Sequence, residues 1–301
     1  MKFRYYIALP LLAMALLAAL AHYFHWDNRL VQVVREQQTP EYKREASIWL
    51  NRYNADISGK PLDRLLKDEL SGLTWHAPSN TLFSVTGKIP KLVQLSLDGE
   101  LLREIHLTGV ADPEGVEALS DGRFAMVDER RGKLILFSLP LDNELDLDQA
   151  LQLDLGGLED AFMYPRNKGL EGIAWDSRNS RFILAKERDP HALYSMAFDL
   201  ETSRAGPLVE LPAGELFMRD ISGLDLDPNT GHLLVLSDES RMLLELDSKG
   251  EPVSFMSFMT GFNGLGQSIS QAEGVAMDAR GVIYVVGEPN LFYRFVPDPA
   301  L

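Results

Sequence analysis

One segment type recurs five times along this chain, which confines it to folds that set equivalent units side by side. Each copy opens on an acidic residue or serine followed by glycine, runs through an apolar stretch, turns at polar residues and re-enters a second apolar stretch. The copies begin at Ser71-Gly72-Leu73, Glu114-Gly115-Val116, Glu171-Gly172-Ile173, Ser222-Gly223-Leu224 and Glu273-Gly274-Val275. Their turns, such as Ser120-Asp121-Gly122-Arg123 and Asp278-Ala279-Arg280-Gly281, use residues that accept the positive φ or local side-chain bonds of a hairpin.

The second stretches, for example Phe124-Ala125-Met126-Val127 and Ile283-Tyr284-Val285-Val286, are short and apolar throughout, as strands packed on both faces are. A third strand follows at residues 134–137 and 243–246, and a fourth at 101–107. Four-stranded units of about 40–50 residues are propeller blades, so the spacing predicts an all-β, five-bladed β-propeller. The last copy has no room for a fourth strand. Residues 52–58 are expected to supply it and lock the ring. The resulting division is an anchor over residues 1–27, a polar, partly helical stalk over 28–51 and a propeller over 52–301.

The anchor is expected from Lys2 and Arg4 followed by an uncharged stretch over residues 5–24, about the length of a bilayer-spanning helix. The competing reading is a signal peptide cleaved after Ala19-Leu20-Ala21. The anchored form predicts a single-pass inner-membrane protein with its propeller in the periplasm. Cysteine is absent, which excludes disulfides and thiolate metal sites. The net charge of −15 argues against nucleic acid as a partner.

Antiparallel strands reverse direction, so the start of each first strand and the end of each second strand share one rim. Beside the channel this places Glu114, Glu171 and Glu273, with Ser71 and Ser222 in the other two blades. One strand farther out it places Glu129, Glu187, Glu239 and Glu288, with Glu117, Asp128, Asp220 and Asp238 nearby. Two like charges about 6 Å apart repel by roughly 3 kcal/mol at an effective dielectric near 20, so the mouth needs positive charge. Lys88, Arg130, Arg131, Lys186, Arg188 and Arg241 are candidates to pair with the outer carboxylates. A hard cation such as Ca²⁺, which takes 6–8 oxygen ligands, is the expectation for Glu114, Glu171 and Glu273. The alternative for each carboxylate is a structural one, accepting backbone N–H bonds that staple blades together. Long connections at residues 140–169, 206–220 and 261–272 return to the same rim, where function gathers. No catalytic motif occurs, and His191 reads as a solvated loop residue rather than a base.

The stretch Gln271-Ala-Glu-Gly-Val-Ala-Met-Asp-Ala-Arg-Gly-Val-Ile-Tyr-Val-Val-Gly-Glu-Pro-Asn-Leu-Phe-Tyr-Arg-Phe295, with Val127-Asp-Glu-Arg130, Gly169-Leu-Glu-Gly-Ile-Ala174 and Leu236-Ser-Asp-Glu-Ser-Arg241, resembles the SdiA-regulated, YjiK-like family of bacterial envelope proteins. The resemblance implies a five-bladed propeller with NHL-like repeats, a proposed Ca²⁺ site and no established enzyme activity. Blade one departs from it, with Ser71 and Thr86-Gly87 where other copies are acidic. The functional expectation is a membrane-anchored binding module with Ca²⁺ at its mouth. Its ligand-binding residues would be Glu117, Glu129, Glu187, Asp220, Glu239, Glu288, Arg130 and Arg188, and its ligand a small molecule, glycan or envelope protein. The alternative is a Ca²⁺-dependent lactonase or esterase-like hydrolase.

Overall fold

The computed structural model describes residues 3–23, 26–65, 68–155, 169–188 and 190–298, with side chains from residue 10 onward. Five sheets follow one another around an axis, each a meander whose first strand lines the channel. Blade one comprises Leu70–His76, Thr81–Thr86, Lys91–Leu95 and Leu101–Thr108, and blade two Pro113–Ala118, Phe124–Asp128, Lys133–Phe137 and Leu151–Asp154. Blade three comprises Leu170–Asp176, Arg181–Lys186, Ala192–Asp199 and Arg204–Glu210, and blade four Gly223–Leu226, Leu233–Ser237, Met242–Leu246 and Pro252–Ser257. Blade five has Gln271–Met277, Ile283–Glu288 and Leu291–Pro297.

The apolar second stretches become strands because both of their faces are buried. Every residue of Phe124–Asp128 and Leu233–Ser237 is buried. Core side chains interleave from blade to blade. Phe83 of blade one meets Phe124 of blade two edge-on at 4.9 Å, and Phe258 stacks on Phe295 at 5.8 Å between blades four and five.

Three of the five repeat glycines are explained at the axis. A Cβ on Gly72 would fall 2.4 Å from the Glu114 carbonyl oxygen, and one on Gly115 2.8 Å from that of Glu171. A Cβ on Gly274 would fall 2.6 Å from the backbone of Gly72, which returns the series to blade one. Inner strands touch backbone to backbone, and only glycine permits that approach.

The ring closes as the sequence predicts. Tyr53–Pro61 pairs antiparallel with Leu291–Pro297, in the register Tyr53↔Pro297, Asn54↔Val296 and Ala55↔Phe295. The glycine-rich turn after blade four fastens this strand, with Ala55 N–H donating to Asn263 O at 2.8 Å and Asn263 Nδ2 to Tyr53 O at 2.9 Å.

Two connections carry more structure than expected. In the stretch 140–169, Glu144–Asp146 adds a parallel fifth strand to blade one and Leu151–Asp154 is the outer strand of blade two. Residues 156–168 lie outside the described residues. The stretch 206–220 begins inside the outer strand of blade three.

Helices Phe3–Tyr23, Trp26–Gln38 and Glu41–Glu45 precede the propeller. Among the described residues no helix is long and apolar enough to cross a membrane. The segment read as a stalk lies against blade four. There the buried carboxylate of Glu245 accepts from the amides of Ile48 at 2.8 Å and Trp49 at 3.0 Å, and Ser254 Oγ from that of Leu50 at 2.8 Å.

Tyr53 anchors the closing strand. It is 1 % exposed, and its hydroxyl donates to Gly281 O at 2.8 Å. Tyr53→Ala is expected to destabilise the propeller by about 3–5 kcal/mol and Tyr53→Phe by about 1 kcal/mol, read from urea midpoints. Equal effects of the two would show that ring burial does not matter here.

Candidate functional site

A bulge shapes the mouth. The register of inner and second strands slips between Ser71 and Leu73, Pro113 and Val116, Leu170 and Gly172, and Ala272 and Gly274. A slip of this kind re-aims the side chain beside it. In each case that side chain is the repeat's Ser or Glu, and it lines a cavity of about 530 Å³ at the channel mouth.

Four repeat positions converge on this cavity. The innermost is Ser71, Glu114, Glu171, Ser222 and Glu273. Two residues upstream, Glu69, Asp112, Asp220 and Gln271 also line it. At the end of the second strand or just past it come Gly87, Glu187, Asp238 and Glu288, and one residue further Lys88, Arg130 and Arg188. The predicted Glu114, Glu171, Glu273, Glu187, Asp220, Glu288, Arg130 and Arg188 therefore share one chamber, and Lys88, Asp238, Glu69 and Asp112 join them. Glu69 and Asp112 were missed from sequence, although both stand two residues before the repeat's opening residue, as Asp220 does.

Glu239, Glu117 and Glu129 are not among the lining residues. Blade four's second strand ends at Ser237 where blade two's ends at Asp128, so Asp238 is the counterpart of Glu129 and Glu187. Glu239 falls one place later, where blades one, two and three carry a base, and it pairs with Arg188, which also holds Glu187. Glu117 lies three residues down the inner strand. There it accepts from Thr74 Oγ1 at 3.0 Å and the Trp175 amide at 3.2 Å, tying blades one, two and three. Asp225 does the same for blade five, accepting from the Met277 amide at 2.6 Å. Glu129 stands behind the cavity wall and accepts from the Gly169 amide at 2.7 Å.

Several mouth carboxylates are fully committed. Asp128 accepts from the amides of Ala111 and Asp112 at 2.9 and 3.2 Å, and Asp220 from those of Asp238 and Glu239 at 3.2 and 3.1 Å. The bases are also engaged. Lys88 pairs with Glu69 at 3.2 Å and Arg130 with Asp112 at 2.9 Å, while Lys186 Nζ donates to the carbonyls of Arg188 at 2.8 Å and Pro190 at 3.2 Å. Arg131 stands 3.7 Å from Asp128. His191 is not among the lining residues, and burial lowers its pKa, which favours the neutral ring.

Among the described residues the inner carboxylates form no ion pair, although Arg188 acts on Glu171 from a distance. Burial, then Glu129, Asp112 and Glu288, push Glu114 up to about 7, against a lowering bond from Ser71. Burial, then Asp238, Glu288 and Glu114, push Glu273 up to about 9. Burial beside Glu114, Glu129 and Glu273 holds Glu171 well above the carboxylate range. Asp238 is raised to about 7, chiefly by burial and Asp220, and its buried Oδ1 has no hydrogen-bond partner among the described residues. Three carboxylates, those of Asp112, Glu114 and Glu129, bring one oxygen each within 4.8 Å of one another. The expected Glu114 belongs to this set. Glu171 and Glu273 border it through Glu114.

An acid whose folded pKa stands above its unfolded value keeps its proton when folded after the unfolded chain has released it, so rising pH disfavours folding across that window. Without a bound cation, stability is expected to fall between about pH 5 and pH 9, and Glu273→Gln should flatten the upper half of that fall. Thermal melts across pH in a chelator test this, and a flat profile for the unaltered protein would contradict it.

A sequence model described as SdiA-regulated matches residues 45–296. Among solved structures, an auxiliary nutrient binding protein from Bacteroides ovatus aligns with TM-score 0.53 at 11% identity, covering 82% of this chain and 77% of that one. A gluconolactonase from Xanthomonas campestris aligns with TM-score 0.47 at 12% identity over 81% and 97%. Virginiamycin B lyase from Staphylococcus aureus aligns with TM-score 0.48 at 12% identity over 81% and 99%. At such identities the first likeness speaks to fold alone, and the other two carry no argument.

Proposed function

The chain belongs to the SdiA-regulated family, and on that premise we propose that it is an envelope-anchored binding propeller which holds Ca²⁺ at its channel mouth and recruits a small molecule, glycan or envelope protein there. The observation that carries this reading is the set Asp112, Glu114 and Glu129, whose oxygens lie within 4.8 Å of one another. Two oxygens on one Ca²⁺ at 2.3–2.6 Å stand no more than about 5 Å apart, so the set fits the ion. All three donors are hard carboxylates, which favour Ca²⁺ over softer metals. Glu171, Glu273 and Asp238 supply further negative charge at the same chamber, and the partnerless oxygen of Asp238 supports a positive or hydrogen-donating guest.

In this reading Lys88, Arg130 and Arg188 stand on the rim as fixed positive charges. They would orient an acidic or hydroxyl-rich ligand against the cation, and a cavity of about 530 Å³ suits a small molecule or the tip of a larger one. The apolar helix Phe3–Tyr23 is the proposed anchor, with the propeller in the periplasm.

Ca²⁺ added at about 100 times its Kd is expected to stabilise the protein by roughly 2.7 kcal/mol, with affinity rising from pH 6 to pH 8 as Glu114 and its neighbours ionise. Urea unfolding of the full chain in detergent, with and without Ca²⁺, measures the first and calorimetric titration the second. Asp112→Asn and Glu129→Gln should abolish binding, and Glu171→Gln should weaken it less. The opposite ranking would move the ion to the axial glutamates, and no heat with any variant or with the unaltered protein would end the metal proposal. Turnover of a lactone or aryl-ester panel, lost in Glu171→Gln with the fold intact, would replace binding with hydrolysis.

A further inference from the structure

The helix Trp26–Gln38 packs the reverse of an ordinary surface helix, which sets its apolar stripe on the core and its charges in water. Here the buried residues are Arg29, Gln32 and Glu36. Trp26, Leu30, Val33 and Val34 face outward, with exposures of 54%, 65%, 38% and 44%.

The inward face is polar because backbone groups of the propeller need partners. Arg29 donates to Ser240 O at 2.7 Å, Gln32 to Leu216 O at 2.7 Å and Arg35 to Glu215 O at 2.8 Å, while Glu36 accepts from the Phe255 amide at 2.8 Å. The remaining acid, Asp27, is bonded to His22 at 2.8 Å. Asp27, with its side chain 42% exposed, borders the outward face beside Val34, and the rest of that face, through Gln37, carries no charge.

An apolar face of this kind marks an interaction surface, and the preceding helix indicates what covers it. In Phe3–Tyr23 the described side chains Leu11, Leu12, Met14, Leu16 and Leu17 are each more than half exposed. Their positions run round the helix rather than along one stripe. A helix apolar on all sides has lipid or protein core as its solvent, and this one is not covered by the propeller. The two apolar surfaces adjoin through Tyr23 and Trp26, ring types that favour the boundary between water and acyl chains.

We infer that Trp26–Gln38 lies in the interface of a lipid bilayer, with Trp26, Leu30, Val33 and Val34 in the acyl boundary and the opposite face fastened to blade four. This rests on the anchoring reading of Phe3–Tyr23. Arg29 grips Ser240, the residue after Glu239 on the mouth rim. The bilayer therefore holds blade four at a set distance and keeps the mouth close to the lipid surface.

The chain has no cysteine, so a single introduced thiol can be spin-labelled without ambiguity. The full chain is placed in vesicles of phosphatidylethanolamine and phosphatidylglycerol with labels at Leu30→Cys, Val33→Cys, Leu17→Cys and the fully exposed Leu141→Cys. Collision with oxygen is then compared with collision with a water-soluble nickel chelate, with unchanged circular dichroism melts as the check on folding. Labels at 30, 33 and 17 are expected to favour oxygen and the label at 141 the chelate. If 30 and 33 behave like 141 while 17 favours oxygen, the inference fails and anchoring stands. If 17 also favours the chelate, both fail. Dipolar broadening at 30 and 33 would show a second copy covering the face and would equally overturn the inference.

Discussion

Backbone-to-backbone contact around the axis is the constraint on which the molecule depends. Gly72 against Glu114, Gly115 against Glu171 and Gly274 against Gly72 leave no room for a Cβ. A larger residue at any of them would push two blades apart, and because the ring is closed the gap could not be relieved at a free edge. The bulge beside the glycine follows from the same crowding. It turns the preceding side chain off the sheet and into the channel, so the geometry that lets the blades meet also builds the mouth.

Symmetry would place identical side chains around that mouth, but the blades divide the work. Blades one and four carry serine at the innermost position and an acid two residues earlier, while blades three and five carry glutamate innermost and Gly169 or Gln271 two residues earlier. Blade two carries acids at both, and it is there that Asp112, Glu114 and Glu129 converge. The carboxylates then fall into two populations. Asp128, Glu117 and Asp220 accept two or more bonds each and hold loops or neighbouring blades in place. Glu114, Glu171 and Glu273 are buried, crowded by other carboxylates and, among the described residues, without ion pairs of their own, which raises their pKa values and leaves them available to a guest.

Much of this was legible before any coordinates. Five Gly-containing copies fixed the blade count, and the missing fourth strand of the last copy pointed to residues 52–58 as the closing partner. The errors at the site came from register. Reading Glu239 instead of Asp238 as the counterpart of Glu187 is a shift of one residue, and in a strand one residue exchanges the two faces. Asp112 was overlooked because Pro113 separates it from the Glu-Gly motif, although its place in the repeat matches that of Asp220. In the N-terminal segment, polar residues of the stretch read as a polar, partly helical stalk turn inward to backbone groups of blade four, which the sequence did not indicate.

By itself, the sequence determined the all-β class, the number of blades, the closing strand and the acidic character of one rim. These follow from periodicity and from residues adjacent in the chain, where φ preference and alternation act locally. Tertiary structure alone decided which carboxylates are spent on amide hydrogens, which three meet within a cation's reach, and which side of the first helices faces the propeller. Each of those depends on residues tens to hundreds of positions apart being brought within bonding distance, and a linear pattern does not encode the partner that desolvates or satisfies a charge.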